Sequence, residues 1–229
     1  MKNMKTKLLI LSLMTAFFMA CNAQPPQSSF DTTKLDASPE LIIETSAGNI
    51  TVKLYKETPL HRDNFLKLAS TGYFDGVIFH RVIEKFMIQT GDPDSKNPQA
   101  GKMYGMGGPG YTIPAEIVPG FYHKRGALAA ARNDNPEKAS SGSQFYIVQG
   151  EICPLELLEQ LTAEQGIAFT PEQKETYAKT GGAPWLDSGY TVFGEVTDGL
   201  DTVDKIAAVQ KDPHDRPLQD ILIIKITPK

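Results

Sequence analysis

Cysteine, histidine and tryptophan are scarce in this chain, with 2, 4 and 1 among 229 residues. Two cysteines, Cys21 and Cys153, are too few for a disulfide-stapled framework or a cysteine-built zinc site. The histidines, at 61, 80, 123 and 214, show no metal-ligand spacing, so neither metal nor cofactor is expected. Positive charge is not in excess: 23 Lys and Arg stand against 27 Asp and Glu, a net charge of −4, which offers no basic footprint for nucleic acid. The apolar run from Leu8 to Ala20 is too short to span a bilayer comfortably.

That run follows Lys2, Lys5 and Lys7, and the whole has the shape of a signal peptide over residues 1–20, so the chain is expected to be exported. Ala20-Cys21 resembles a bacterial lipoprotein cleavage site, with Phe18 where such sites usually carry Leu. Two outcomes stay open, lipidation of Cys21 and ordinary signal cleavage. With Cys21 acylated, Cys153 has no partner for an intramolecular disulfide, and the protein is anchored to the cell envelope, at the periplasmic inner or outer membrane, without spanning it. Residues 22–38 are polar and aperiodic, as in a flexible tether, leaving 39–229 as one domain.

Within that domain, Leu41–Ser46 and Ile50–Tyr55 read as a hairpin around Ala47-Gly48-Asn49. Thr58 and Pro59 open a helix that Gly72 closes. Further strands fit Val77–Val82, Phe86–Thr90, Gly126–Ala131, Gln144–Val148, Tyr190–Glu195 and Asp220–Thr227, with a helix near Leu200–Ala207. Strand alternation points Phe79 and Arg81 one way, and Met87 and Gln89 one way. A mainly β fold closed as a barrel is the expectation. Residues 151–182 read as two helices: Leu155, Leu158 and Leu161 share a face before Gly166, and Thr170-Pro171-Glu172-Gln173 has the form of a capping box. This hairpin either packs on the flank of the barrel or borders a groove and restricts what enters.

The chemistry concentrates in FHRVIEKFMIQTGDP, residues 79–93, where Arg81 sits among Phe79, Val82, Ile83, Phe86, Met87 and Ile88. An arginine between apolar residues is either the solvent face of an alternating strand or the one polar instrument of an apolar pocket. Three blocks, this one, GALAAAR (126–132) with GSQFYI (142–147), and PWLDSGYTVFGEVTDGLDTVDKI (184–206), resemble in order the signatures of the cyclophilins, the peptidyl-prolyl cis-trans isomerases. The resemblance covers residues 39–228 apart from the insertion. It implies a closed eight-stranded antiparallel barrel capped by two helices, and an isomerase acting on X-Pro bonds of proline-containing peptides and unfolded exported proteins, as a monomer.

By the same resemblance Arg81 is the donor to the prolyl nitrogen, Gln89 orients it, and Phe86, Met87, Tyr146 and Leu186 line the proline slot. Gln144, Ala131 and Arg132 hold the substrate main chain, His80 faces the groove, and Trp185 aligns with the tryptophan that governs binding of the cyclic peptide cyclosporin, which the insertion could block. Tyr146 replaces the usual Phe, Tyr190 stands where many members have His, and Arg132 replaces the commoner Asn. A tyrosine hydroxyl in the slot needs a partner and could narrow the substrate range. The alternative function is a proline-peptide binding module or chaperone with little turnover.

Two signals point elsewhere and fail on context. Gly105, Gly107 and Gly110 spell G-x-G-x-x-G, but Pro109 interrupts it and a β-like stretch follows where a dinucleotide fold needs a helix, so a surface loop is expected. Ser141 and Ser143 lack a nucleophile elbow.

Overall fold

The computed structural model describes residues 30–229, so the expected signal peptide, Cys21 and tether residues 22–29 lie outside the described residues. The rest of the expected tether is not a free leash. Asp31 caps a 3-10 turn at Thr32–Lys34, its carboxylate accepting from the Thr33 amide at 3.0 Å, and Phe30 and Leu35 pack against the main core.

The expected hairpin forms from β1 (Glu40–Thr45) and β2 (Gly48–Leu54). Alternation along β1 buries Leu41 and Ile43 and leaves their neighbours half-exposed. The turn requires glycine at 48: its φ is +137°, and a Cβ there would lie 2.7 Å from Thr202 Oγ1. Helix α1 (Pro59–Ser70) starts and stops as expected, but Thr58 makes no side-chain cap. Glu116 does that work from a distant loop, accepting from the Leu60 and His61 amides at 3.0 and 2.9 Å. A carboxylate there satisfies orphan N–H groups and complements the helix dipole. Glu116 also bonds His61 Nδ1 at 2.7 Å, and His61 Nε2 lies 3.0 Å from Ser140 Oγ, which ties α1 to the far side of the groove.

The chain continues through β3 (Arg81–Ile83), β4 (Met87–Thr90), β5 (Thr112–Ile113), β6 (Ala127–Ala130), β7 (Ser140–Ser141) and β8 (Phe145–Val148), then α2 (Leu155–Gln165), α3 (Pro171–Lys179), β9 (Val192–Asp198), α4 (Leu200–Ala207) and β10 (Ile223–Pro228). Eight strands form one antiparallel sheet in the order β10, β1, β2, β9, β6, β8, β4, β3, while β5 pairs with β7 alone. The sheet curls into a half-barrel and does not close. Its edges β10 and β3 share no ladder; they meet at a single Ile78–Leu222 bridge and bonds such as Phe79 N to Ile221 O (2.9 Å). The physical reason lies at β3. The strand begins only at Arg81, and its outer edge is taken by the 211–217 loop, with Val82 N donating to Asp215 O at 2.8 Å and Lys211 Nζ to Val82 O at 3.1 Å. Because residues 77–80 are outside the strand, the expected alternation also fails there: Phe79 is fully buried in the interior core while Arg81 is half-buried at a groove.

Period-two alternation does hold along β4 and β8 and sorts side chains into two clusters. Ile88, Phe145 and Ile147 join the interior core with Phe65, Phe74 and Phe193, whereas Met87, Tyr146 and Val148 form the outer cluster with Ala127, Ala129 and Val192. The interior is aromatic at its centre, with Phe65 edge-on to Phe145 at 5.3 Å.

The insertion is a helical pair with a small core of its own, Cys153, Leu158 and Tyr177, closed by Leu157 and Phe169. The expected face is corrected at one position: Leu155, first in α2, is 51 % exposed and Leu157 packs in its stead. The capping box at Thr170 and Gln173 is present in full. The two ends of the insertion are pinned together through Gly182 N to Glu151 O, and one of them to the segment before β6 through Arg125 N to Gly181 O, each 3.0 Å. Gly181, at φ +83°, has no room for a Cβ against the Glu151 carbonyl.

Candidate functional site

Strand register assembles the site. Arg81 on β3 is paired with Gln89 on β4, Gln89 with Tyr146 on β8, and Tyr146 with Ala129 on β6. Directly opposed residues share a face, so one row across four strands puts a guanidinium, a carboxamide and a phenol side by side. Around this row lies a slot of about 120 Å³, walled by Arg81, Phe86, Met87, Gln89 and Tyr146 and completed by Ala131, Arg132, Leu186 and Tyr190. It opens beside a wider cavity of about 560 Å³ that shares Gln89, Ala131 and Arg132, includes Gln144, and is rimmed by the Gly105–Gly110 loop.

Within the slot Arg81 is the free group. Its guanidinium has no hydrogen-bond or ion-pair partner among the described residues. Gln89 is across from it in register but does not bond it; the Gln89 amide donates to Gln144 Oε1 at 3.1 Å. Gln144 in turn donates to the carbonyls of Gly105 and Gly107 at 2.9 and 2.8 Å. The two glutamines thus brace the glycine loop against the slot, where the expectation had Gln89 aiming Arg81 and Gln144 reaching for substrate.

The glycine loop is the surface feature expected in place of a nucleotide site. Asp92, buried, accepts from the Gly105 and Gly107 amides at 2.5 and 3.1 Å, and its carboxylate fills the place where a Gly107 side chain would start.

Two of the departures from the family pattern are one structural unit. The Arg132 guanidinium stacks 4.7 Å over the Tyr190 ring while its Nε donates to the Gly189 carbonyl at 2.9 Å. Tyr146 is 4 % exposed, edge-on to Tyr190 at 6.1 Å, and its hydroxyl lies 3.0 Å from His123 Nε2. The hydroxyl is therefore satisfied outside the slot. The sequence signalled the need for a partner but not its identity, since His123, Asp187 and Tyr177 come from three separate segments.

Trp185 is beside the slot, its ring 5.6 Å from Phe86 at the 3-10 turn Pro184–Leu186. No residue of the insertion between 151 and 182 walls the slot, so the packed-hairpin alternative describes its placement.

His80 is not where the resemblance puts it. It is 5 % exposed, lies against Gly105 at the far side of Arg81, walls no part of the slot, and neither ring nitrogen has a hydrogen-bond partner among the described residues. Its neighbour Arg81 turns to the slot as β3 begins, which sends His80 under the loop. Burial holds the imidazole neutral, its pKa pushed down to about 4. The folded value is thus below the unfolded value of about 6.5, so His80 adds stability above about pH 6.5 that is lost as pH falls towards 4. We expect up to about 3 kcal/mol of acid sensitivity from this group. Urea titrations at pH 7 and pH 4.5 should show a smaller difference for His80→Leu than for the parent chain; an equal difference refutes the assignment.

With this geometry established, the chain was compared with known proteins. The profile of the family described as cyclophilin type peptidyl-prolyl cis-trans isomerase/CLD matches residues 40–228. A protein of Staphylococcus saprophyticus provisionally named a peptidyl-prolyl cis-trans isomerase is 41 % identical over 189 residues, 82 % of this chain and 90 % of that one. One of Staphylococcus aureus strain COL, named likewise, is 38 % identical over 188 residues with the same coverage. Among solved structures, a cyclophilin type peptidyl-prolyl cis-trans isomerase of Cryptosporidium parvum superposes with a TM-score of 0.61 at 26 % identity, covering 84 % of this chain and 98 % of that one. The same protein in the presence of the dipeptide Ala-Pro gives 0.60, covering 83 % and 98 %. An antiparallel half-barrel with this groove, a profile match over nearly the whole described domain and relatives at about 40 % identity agree: the chain belongs to the cyclophilin-type peptidyl-prolyl cis-trans isomerases.

Proposed function

We propose that this chain accelerates rotation about X-Pro peptide bonds in the Arg81 groove, with the proline ring in the 120 Å³ slot and the preceding chain along the adjoining cavity. The barrier, about 18 to 20 kcal/mol, comes from conjugation of the nitrogen lone pair with the carbonyl. Twisting the amide breaks that conjugation and returns the lone pair to nitrogen, where it accepts a hydrogen bond. No nucleophile and no proton transfer are needed. A guanidinium stays protonated and donates in a fixed plane, so a donor there binds the twisted amide better than the planar one. The observation that carries this reading is that the Arg81 guanidinium, in the slot wall beside Phe86, Met87 and Leu186, is left without a hydrogen-bond or ion-pair partner among the described residues. Met87, Phe86 and Leu186 give the slot its apolar lining, and Tyr146 closes the wall with its hydroxyl committed to His123. A free donor favours turnover over simple peptide capture. A protease-coupled assay on a proline tetrapeptide tests the reading: the chain should shorten the slow cis-to-trans phase in proportion to its concentration, and no change overturns it.

The same reading extends to the cell. The N-terminal Lys residues, the Leu8–Ala20 run and Ala20-Cys21 support an exported protein held at the envelope by a lipid on Cys21, assisting the folding of exported proteins. Cys21→Ala should move the protein from the membrane fraction to the soluble fraction and abolish incorporation of labelled fatty acid; unchanged fractionation refutes the anchor.

A further inference from the structure

The insertion does not wall the slot, yet a continuous buried chain of polar groups runs from it to the slot's floor. Tyr177 on α3 is 0 % exposed and donates its hydroxyl to Asp187 Oδ2 at 2.6 Å. Asp187 Oδ1 accepts from the His123 amide and faces His123 Nδ1, each at 2.8 Å. His123 Nε2 faces the Tyr146 hydroxyl at 3.0 Å. The direction of these bonds follows from donor inventory. A carboxylate only accepts, so the Tyr177 hydroxyl and His123 Nδ1–H both point at Asp187; in the neutral imidazole this leaves the Nε2 lone pair to accept from Tyr146. Every hydroxyl and ring nitrogen in the series then has one partner, with no water required.

A phenol in a proline slot presents a problem, because a hydroxyl turned into the slot would face an apolar ring that cannot bond it. Here it is held on the opposite side by an imidazole whose own tautomer and orientation are fixed by a carboxylate. That carboxylate is steadied by a residue of the insertion. Ring contacts agree: His123 lies nearly parallel to Tyr146, at 12° and 6.0 Å between centroids, and edge-on to Tyr190 at 6.3 Å. The end of the insertion is also fastened to the same place by backbone, Arg125 N donating to Gly181 O at 3.0 Å and Ala183 N, just past it, to His123 O at 2.8 Å.

We propose that Tyr177, Asp187 and His123 are positioning residues that lock Tyr146 in the wall of the proline slot, so that the insertion sets the slot's shape and polarity from behind. The proposal rests on the isomerase reading above. It assigns the insertion a role in substrate fit although it touches no substrate. A displaced Tyr146 ring shifts the proline ring relative to Arg81, and misplacement by about 1 Å costs up to about 10² in rate.

The test is a double-mutant cycle in the full chain. Tyr177→Phe removes one hydroxyl and keeps the ring in its apolar cluster; we expect kcat/KM for a proline tetrapeptide to fall about tenfold, with the loss shared between kcat and KM. In a Tyr146→Phe background there is no hydroxyl to lock, so Tyr177→Phe should change kcat/KM less than about twofold. Equal losses in the two backgrounds, or no loss in the parent, overturn the proposal. His123→Phe against Tyr146→Phe reads the same coupling one link nearer the slot and serves should Tyr177→Phe fail to fold. The cycle is also read in Ala-Pro peptide affinity through Trp185 fluorescence. A parent chain that binds peptide without isomerising it then sinks the isomerase reading alone, and coupling in affinity still decides the positioning roles.

Discussion

Arg81→Ala should fold as the parent does and lose about 10² to 10³ in kcat/KM for X-Pro isomerisation. The fold survives because the side chain is half-buried at the groove and makes no hydrogen bond or ion pair among the described residues, so its removal orphans nothing. The β3–β4 pairing runs through backbone groups and is indifferent to the side chain at 81. The rate falls because a preorganised donor at the slot acts on the nitrogen lone pair that develops only in the twisted amide. Arg81→Lys is informative beside it. It keeps the charge but loses the planar fork and its reach, and should recover only part of the activity. Identical thermal midpoints with collapsed turnover support the role; near-parental turnover in Arg81→Ala removes it.

The largest stability effect is expected at Asp187, which is 9 % exposed. Its carboxylate accepts from the Tyr177 hydroxyl, the His123 amide and the His123 ring. Asp187→Ala leaves three buried donors without an acceptor. A buried donor left without an acceptor typically costs about 1 to 3 kcal/mol, so losing three takes a large part of a domain's total stability of about 5 to 15 kcal/mol. Asp187→Asn keeps one acceptor oxygen but turns an NH₂ towards a donor, so it should be intermediate. Urea midpoints with an unchanged m-value are the measurement; a loss under about 1 kcal/mol for Asp187→Ala shows that water or a rearranged side chain replaces the carboxylate.

What was legible in the sequence is what local rules govern. The capping box at Thr170 and Gln173 acts over three residues, and the alternation along Met87–Thr90 and Phe145–Val148 is a property of a pleated strand; both are present as read. The family pattern named the slot, and the register of β3, β4 and β8 brings its residues together. The rest depended on groups far apart in the chain. Thr58 has the composition of a helix cap, yet Glu116 takes the amides because its loop is held against α1. Phe79 and His80 lie before β3, so Phe79 enters the interior core while Arg81 turns to the slot and His80 packs under the glycine loop, an arrangement set by where the strand starts. Closure of the barrel was expected both from the run of short strands and from the family likeness, and the 211–217 loop on the edge of β3 decides it otherwise.

If Cys21 carries the proposed lipid, the docking of Phe30 and Leu35 on the core sets a working radius for the enzyme. With the domain gripping its own N-terminal segment from residue 30, only residues 22–29 separate it from the proposed acyl-cysteine. A chain of that length reaches at most about 30 Å when fully extended. Held by the proposed lipid, a groove so leashed would work in a thin layer over the bilayer rather than in the volume beyond it, where polypeptides leaving the membrane expose prolyl bonds not yet folded in.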